Sequence, residues 1–140
     1  DEGVVPIGVA KMVRTGSDLT LVSWSKMARL CEEVAETLAG DGVSVEVIDL
    51  RSLWPWDTAA VYASVRKTGR LLVAQEAVQT GGFAAEVATD VTEHCFDALK
   101  THVRRIGAPR MPVPYAEPME NEYRVTPERI LARARETLAA

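Results

Sequence analysis

The sequence predicts one α/β domain over residues 1–140: a mostly parallel sheet of about five strands, helices on both faces, and an antiparallel edge. Three observations carry that reading. Segments of β-type composition alternate with segments whose apolar residues recur at helical spacing. The run "RLLVAQ" at 70–75 is almost continuously apolar, as a strand covered on both faces must be. Finally, 140 residues at 47% hydrophobic content suffice for a single core, because a chain of this size buries roughly two thirds of its unfolded surface.

Residues 7–14, "IGVAKMVR", and 19–24, "LTLVSW", read as strands separated by the turn residues Gly16, Ser17 and Asp18, so a hairpin is expected at the opening. From Ser25 the period changes. Met27, Leu30, Cys31, Val34 and Leu38 form one helical stripe, closed by "GDG" at 40–42. "VSVEVIDL", 43–50, is a valine-rich strand that leaves through Pro55 to Asp57, an N-cap for the helix "TAAVYASVRK" ending at Gly69. After the strand at 70–75, "FAAEVATDVTEHC" places Ala84, Val87, Ala88, Val91 and Cys95 on one stripe. "HVRRIG" at 102–107 is a shorter strand. The next segment, "APRMPVPYAEP", holds four prolines in eleven residues and reads as a connector. Thr126 and Pro127 open a last helix with Ile130, Leu131, Ala134 and Leu138 on its stripe.

Charge narrows the function classes. The net charge of −4 gives no general attraction to nucleic acid, and the signs alternate along the chain. Residues 1–99 carry 8 basic and 15 acidic side chains and residues 100–140 carry 8 and 5, an asymmetry suited to assembly between opposed faces. No apolar run approaches the roughly 18 residues of a membrane span, and "DEGVVPIG" lacks the pattern of a signal peptide. The expectation is a cytosolic protein. Cys31 and Cys95 lie in apolar stripes without CxxC spacing and read as buried reduced thiols. Neither His94 nor His102 has partners at metal-ligand spacing.

The stretch "VQTGGFAAEV" poses the sharpest chemical question. A glycine turn between a strand and a helix can cradle a phosphate. Gly81-Gly82 matches neither GxGxxG nor GxxxxGK[ST], however, and the expected role of these glycines is close packing. Glu76 leaves the end of a strand toward this turn without a partner acid, lysine or histidine nearby in sequence. Ser23, Ser25 and Ser52 lack a G-x-S-x-G elbow. Trp54 and Trp56 flank Pro55 in a connector, where tryptophans either pack inward or form interface hot spots. The residues themselves therefore name no catalytic group, no cofactor-binding residue and no metal ligand.

Several separated stretches resemble one family: "VPIGVAKMVRTGSDLTLVSW", "VEVIDLRSLWPWD", "SVRKTGRLLVAQEAVQTGGFAAEVA" and "RRIGAPRMPVPYA". Together they look like the C-terminal half of the beta subunit of 2-oxoacid dehydrogenases, the thiamine diphosphate-dependent decarboxylating components of the pyruvate, branched-chain and acetoin complexes. "TEHCFDAL" followed by "MPVPYA" is most similar to branched-chain members. The resemblance implies a three-layer α/β/α sandwich of the transketolase C-terminal domain type. It implies that this half joins a sister beta subunit across a two-fold, supports the alpha subunit, and offers a docking surface to the peripheral subunit-binding domain of the dihydrolipoyl acyltransferase. In such an enzyme thiamine diphosphate and magnesium are held by the alpha subunit and the beta subunit's N-terminal pyrimidine-binding domain, so the 140 residues are expected to carry no cofactor and to be inactive alone.

Two departures from the family pattern stand out. Gln75 replaces the histidine of "HEA", and Lys100 in "LKTH" replaces an acidic residue of a "LEAP"-like stretch. The possible interface residues are Trp54, Trp56, Gly81, Gly82 and Lys100. The compartment implied is the bacterial cytoplasm or the mitochondrial matrix. Alternatives are a pyruvate or acetoin member, a transketolase-like enzyme whose other half is a separate chain, and a stand-alone anion- or nucleotide-binding module.

Overall fold

The structure, a computed structural model, describes residues 3–140. Its elements in chain order are β1 (Lys11–Arg14), β2 (Leu19–Ser23), α1 (Lys26–Gly40), β3 (Val45–Asp49), α2 (Thr58–Thr68), β4 (Leu71–Val78), α3 (Phe83–Cys95), β5 (Arg104–Ala108), α4 (Glu117–Tyr123) and α5 (Pro127–Leu138). The strands form one sheet in the order β1-β3-β2-β4-β5, parallel throughout except for β1 against β3.

Alternation along the central strands builds two cores. Leu19, Leu21, Val45, Val47, Leu72 and Ala74 pack with α1 and α5, while Val22, Ile48, Leu71 and Val73 pack with α2 and α3. Both faces are covered, which explains the near-continuous apolar reading of these strands. The predicted stripe of α1 is borne out by buried Met27, Cys31, Val34 and Leu38. On α3, Ala84, Val87, Val91 and Cys95 are buried, but Ala88 sits at the stripe's edge and is only half-buried. Asp57 caps α2 by accepting the Ala60 N–H at 3.0 Å, and Gly69 ends it at φ 73°. Both cysteines are free and buried; desolvation pushes the Cys31 thiol up to about 12, against a smaller opposing hydrogen bond from Ser23.

The opening hairpin is not formed. β1 and β2 lie on either side of β3, and the connection between them passes over the head of that strand. Close approach makes this possible: a Cβ on Gly16 would stand 2.2 Å from the carbonyl carbon of Val45. The Ser17 and Asp18 N–H groups donate to Ser44 O at 3.0 and 2.8 Å, and the Asp18 carboxylate accepts the Ser44 N–H at 2.7 Å. Glycine, serine and aspartate were read as hairpin residues because they favour turns; here the same chemistry binds the turn to a third strand. Residues 7–10, expected as strand, instead run beside the connector after β3. Gly8 N–H donates to Ser52 Oγ at 2.9 Å, and the Arg51 guanidinium donates to Val9 O at 2.8 Å. The proline-rich segment lacks regular structure up to the seven-residue helix α4, where Pro118 occupies the first turn and its missing N–H costs nothing.

Candidate functional site

The Gly81-Gly82 turn is already occupied from inside the protein. Gln75 is fully buried, inside β4. Its Oε1 accepts the Ala84 N–H at 2.8 Å, and its Nε2 donates to Val78 O at 2.8 Å. A free N–H at the start of α3, which an anion would need, is thus spent on a carboxamide. Gly82 permits this contact, because a Cβ there would fall 1.8 Å from Gln75 Nε2. Gly81 adopts φ +76° with nothing within 4 Å of a built Cβ, so its need is conformational.

The tryptophan pair divides. Trp56 is only 7% exposed, lies in the core with Val22 and Ile48, and meets Tyr62 edge-on at 6.3 Å. Of the two readings, inward packing accounts for it within this chain. Trp54 is 82% exposed. It lines a shallow hollow of about 510 Å³ with Gly81, Gly82, Phe83, Ala85 and Glu86. Three sequence candidates therefore converge on one surface. Beyond Ala85 that surface continues into a groove of about 600 Å³ along α3, floored by Ala88, Thr89 and Thr92 and ending at Phe96, which is 75% exposed. Lys100 borders the same groove, but its ammonium donates to Thr68 O at 3.2 Å and its stem lies across Gly69. It caps the carboxyl end of α2.

The sheet has a second distinguished place. From β2 the chain crosses to β3 on one side, and from β3 it returns past β2 to β4 on the other, so strand order reverses between β2 and β4. Ligands of open α/β sheets bind outside the carboxyl ends of the strands at such a reversal. A crevice of about 580 Å³ lies there, lined among others by Trp24, Ser25, Glu76, Val113, Tyr123 and Arg124. Ser25 holds φ 55° and ψ −141°, a conformation costly for a residue with a side chain. Arg124 is paired with Glu120 at 2.5 Å, whereas Glu76 has no ion pair among the described residues. Sequence reasoning singled out Glu76 but missed Trp24, Tyr123 and Arg124; the last two come from α4 and its end, 47 and 48 positions on, and no local pattern announces them.

The other serines serve the fold. Ser23 Oγ donates to Ala74 O at 2.7 Å, and Ser52 Oγ donates to Pro55 O at 2.9 Å. Between α2 and α3, the Tyr62 hydroxyl donates to the Asp90 carboxylate while its ring stacks on His94 at 5.2 Å. Burial first, and then the Asp90 hydrogen bond and charge, push the Tyr62 phenol well up. Among the described residues no three His, Cys, Asp or Glu side chains are placed to hold a metal ion. The Ala84 amide at the start of α3 is taken by Gln75.

Comparison with known proteins places these features in a family. The family model described as "Transketolase, C-terminal domain" matches residues 8–130. The chain is 41% identical over 138 residues to the mitochondrial 2-oxoisovalerate dehydrogenase subunit beta 2 of Arabidopsis thaliana, covering 99% of this chain and 38% of that protein. It is 39% identical over 134 residues to the mitochondrial pyruvate dehydrogenase E1 component subunit beta of Dictyostelium discoideum, covering 96% and 38%. Among solved structures, a split-gene transketolase described as an inactive beta4 tetramer superposes with a TM-score of 0.85 at 25% identity, over 99% of this chain and 44% of that one. The chain thus spans less than half the length of these relatives. It belongs to the transketolase C-terminal domain family, on the side of that family where 2-oxoacid dehydrogenase beta subunits lie.

Proposed function

We propose that the chain is the C-terminal assembly domain of the beta subunit of a 2-oxoacid dehydrogenase, with a branched-chain 2-oxo acid as substrate of the whole enzyme. The observation that carries this is the continuous outer face running from Trp54 over the glycine turn and along α3 to Phe96. It sets small residues between two exposed aromatics over the roughly 20 Å of a 13-residue helix. Such a face admits a second helix at close range and anchors it at both ends. A sister beta subunit across a two-fold is its natural occupant, because an isologous contact reuses one patch twice. The beta4 assembly of the split-gene transketolase supports self-association.

In this reading thiamine diphosphate and magnesium are bound by the alpha subunit and by the rest of the beta subunit. The whole enzyme decarboxylates its 2-oxo acid oxidatively and transfers the acyl group to lipoyl groups. The alpha subunit and the peripheral subunit-binding domain of the acyltransferase are the further partners, and the enzyme works in the bacterial cytoplasm or the mitochondrial matrix. The Arabidopsis relative and the "TEHCFDAL" segment support the branched-chain assignment over pyruvate or acetoin. Sedimentation velocity tests the assembly. The protein is expected to form dimers or larger species, and Ala88→Arg, which puts a charge in the middle of the α3 face, is expected to yield monomers with unchanged circular dichroism. A monomeric parent protein, or Ala88→Arg assemblies indistinguishable from it, would count against this face. Calorimetry with thiamine diphosphate and magnesium is expected to show no heat of binding.

A further inference from the structure

We propose that the crevice between the carboxyl ends of β2 and β4 is a binding site for a small primary ammonium compound, independent of the association face on α3. The location is where the strand order reverses, the place at which sheets of this kind take ligands. Its volume of about 580 Å³ lies within the range of small-molecule sites. Charge decides the class of ligand. Glu120 and Arg124 neutralise each other across 2.5 Å, which leaves the unpaired carboxylate of Glu76 as the net charge of the lining. An exposed carboxylate at the end of a core strand is a ready acceptor for an N–H donor. Trp24 and Tyr123 add aromatic rings, whose faces attract cations, and Val78 and Val113 add apolar contact for a short alkyl chain. The amino end of α1 borders the same crevice at Ser25 and Met27, and because its positive end repels a cation, the ammonium is placed on the β4 side, against Glu76.

The geometry also separates this site from the fold's own needs. Gln75 faces α3 and is consumed by backbone groups, whereas Glu76, its neighbour on the other face of β4, is exposed and makes no hydrogen bond or ion pair through its side chain among the described residues. The site can therefore be altered without unfolding the protein.

The test titrates the protein with n-butylammonium chloride, tetramethylammonium chloride and sodium butyrate, followed by calorimetry and by tryptophan fluorescence. n-Butylammonium is expected to saturate in the millimolar range, which is about 4 kcal/mol of binding free energy for five heavy atoms. Tetramethylammonium, which cannot donate a hydrogen bond, is expected to bind at least about tenfold more weakly, and butyrate not at all. Glu76→Gln should weaken n-butylammonium about tenfold or more without moving the melting temperature, and Trp24→Phe should remove the fluorescence change while leaving a calorimetric signal. Absence of saturation at about a hundred millimolar, equal binding of tetramethylammonium, preference for butyrate, or an unaffected Glu76→Gln variant would each overturn the proposal. Because Ala88→Arg leaves this crevice untouched, loss of the association face and loss of the ammonium site are distinguishable.

Discussion

The two ends of the sheet treat polar groups in opposite ways. At the amino end, the buried hydroxyls and the buried carboxylate are all paired, and among the described residues only the Nε atoms of Arg70 and Arg104 are buried there without a hydrogen-bond partner. Thr20 Oγ1 shares hydrogen bonds with Ser64 Oγ at 2.7 Å and Thr68 Oγ1 at 2.8 Å. Glu46, 2% exposed at its side chain, pairs with the Lys67 ammonium and accepts the Gly16 N–H at 3.1 Å. At the carboxyl end, on the α1 face, Glu76 is unpaired and Ser25 sits in a conformation that favours glycine. The lesson is where strain and free valence are tolerated. The amino end closes the fold, and the carboxyl end leaves groups uncommitted where ligands of such sheets bind.

That contrast is open to attack by substitution. Gly16→Ala should have the largest effect: its Cβ meets the Val45 backbone, which cannot move aside, and a loss of more than about 3 kcal/mol or failure to fold is expected in denaturant titrations. Glu46→Gln comes next, at about 2 kcal/mol, because it strips the charge from a buried partner of Lys67 and of the Gly16 amide. Its pH signature follows from linkage. Burial alone would raise the Glu46 carboxyl, but hydrogen bonds from Lys67, Ser64 and the Gly16 amide, together with the Lys67 charge, hold it below the ordinary range. A depressed carboxyl stabilises the folded state above its unfolded pKa and loses that contribution as pH falls through the folded value. Melting curves of the parent protein should thus converge on those of Glu46→Gln in acid, below about pH 4, and separate at neutral pH.

Ser25→Gly should reverse the sign, with a gain of about 1 kcal/mol from relieved backbone strain. Smallest of all, Glu76→Gln should change stability by less than about 0.5 kcal/mol. If thermal melts gave Glu76→Gln a cost like that of Glu46→Gln, the distinction between the two ends would collapse.

Helical periodicity and apolar runs were enough to locate four of the helices and the five strands, because each element's burial is written in its own spacing. Pairing was less legible. "TGSD" carries the same turn preferences whether the next strand lies beside the last one or one strand further over, so the insertion of β3 left no local mark. Helix α4 escaped because seven residues beside prolines offer too short a period. Among site residues, Gly82 was recognised as a packing glycine, yet its reason, the carboxamide of Gln75, belongs to a residue that looked like the tail of a strand. Trp54 and Trp56 differ by burial alone, and two tryptophans astride one proline give no sign of which turns inward.

The crossing at Gly16 also dictates an order of events. β1 and β2 cannot reach their final places as a pair, since the gap between them belongs to residues 45–49, roughly thirty positions later in synthesis. As this part of the chain is synthesised, β1 and β2 must wait, open, until β3 threads in between them. Contacts of that sequence separation slow folding through the entropy of closing the intervening loop. The crossing at Gly16 is therefore a kinetic constraint: lengthening the loop beside it should slow refolding more than it shifts the equilibrium, and a truncation before residue 45 should leave β1 and the β3 side of β2 unpaired.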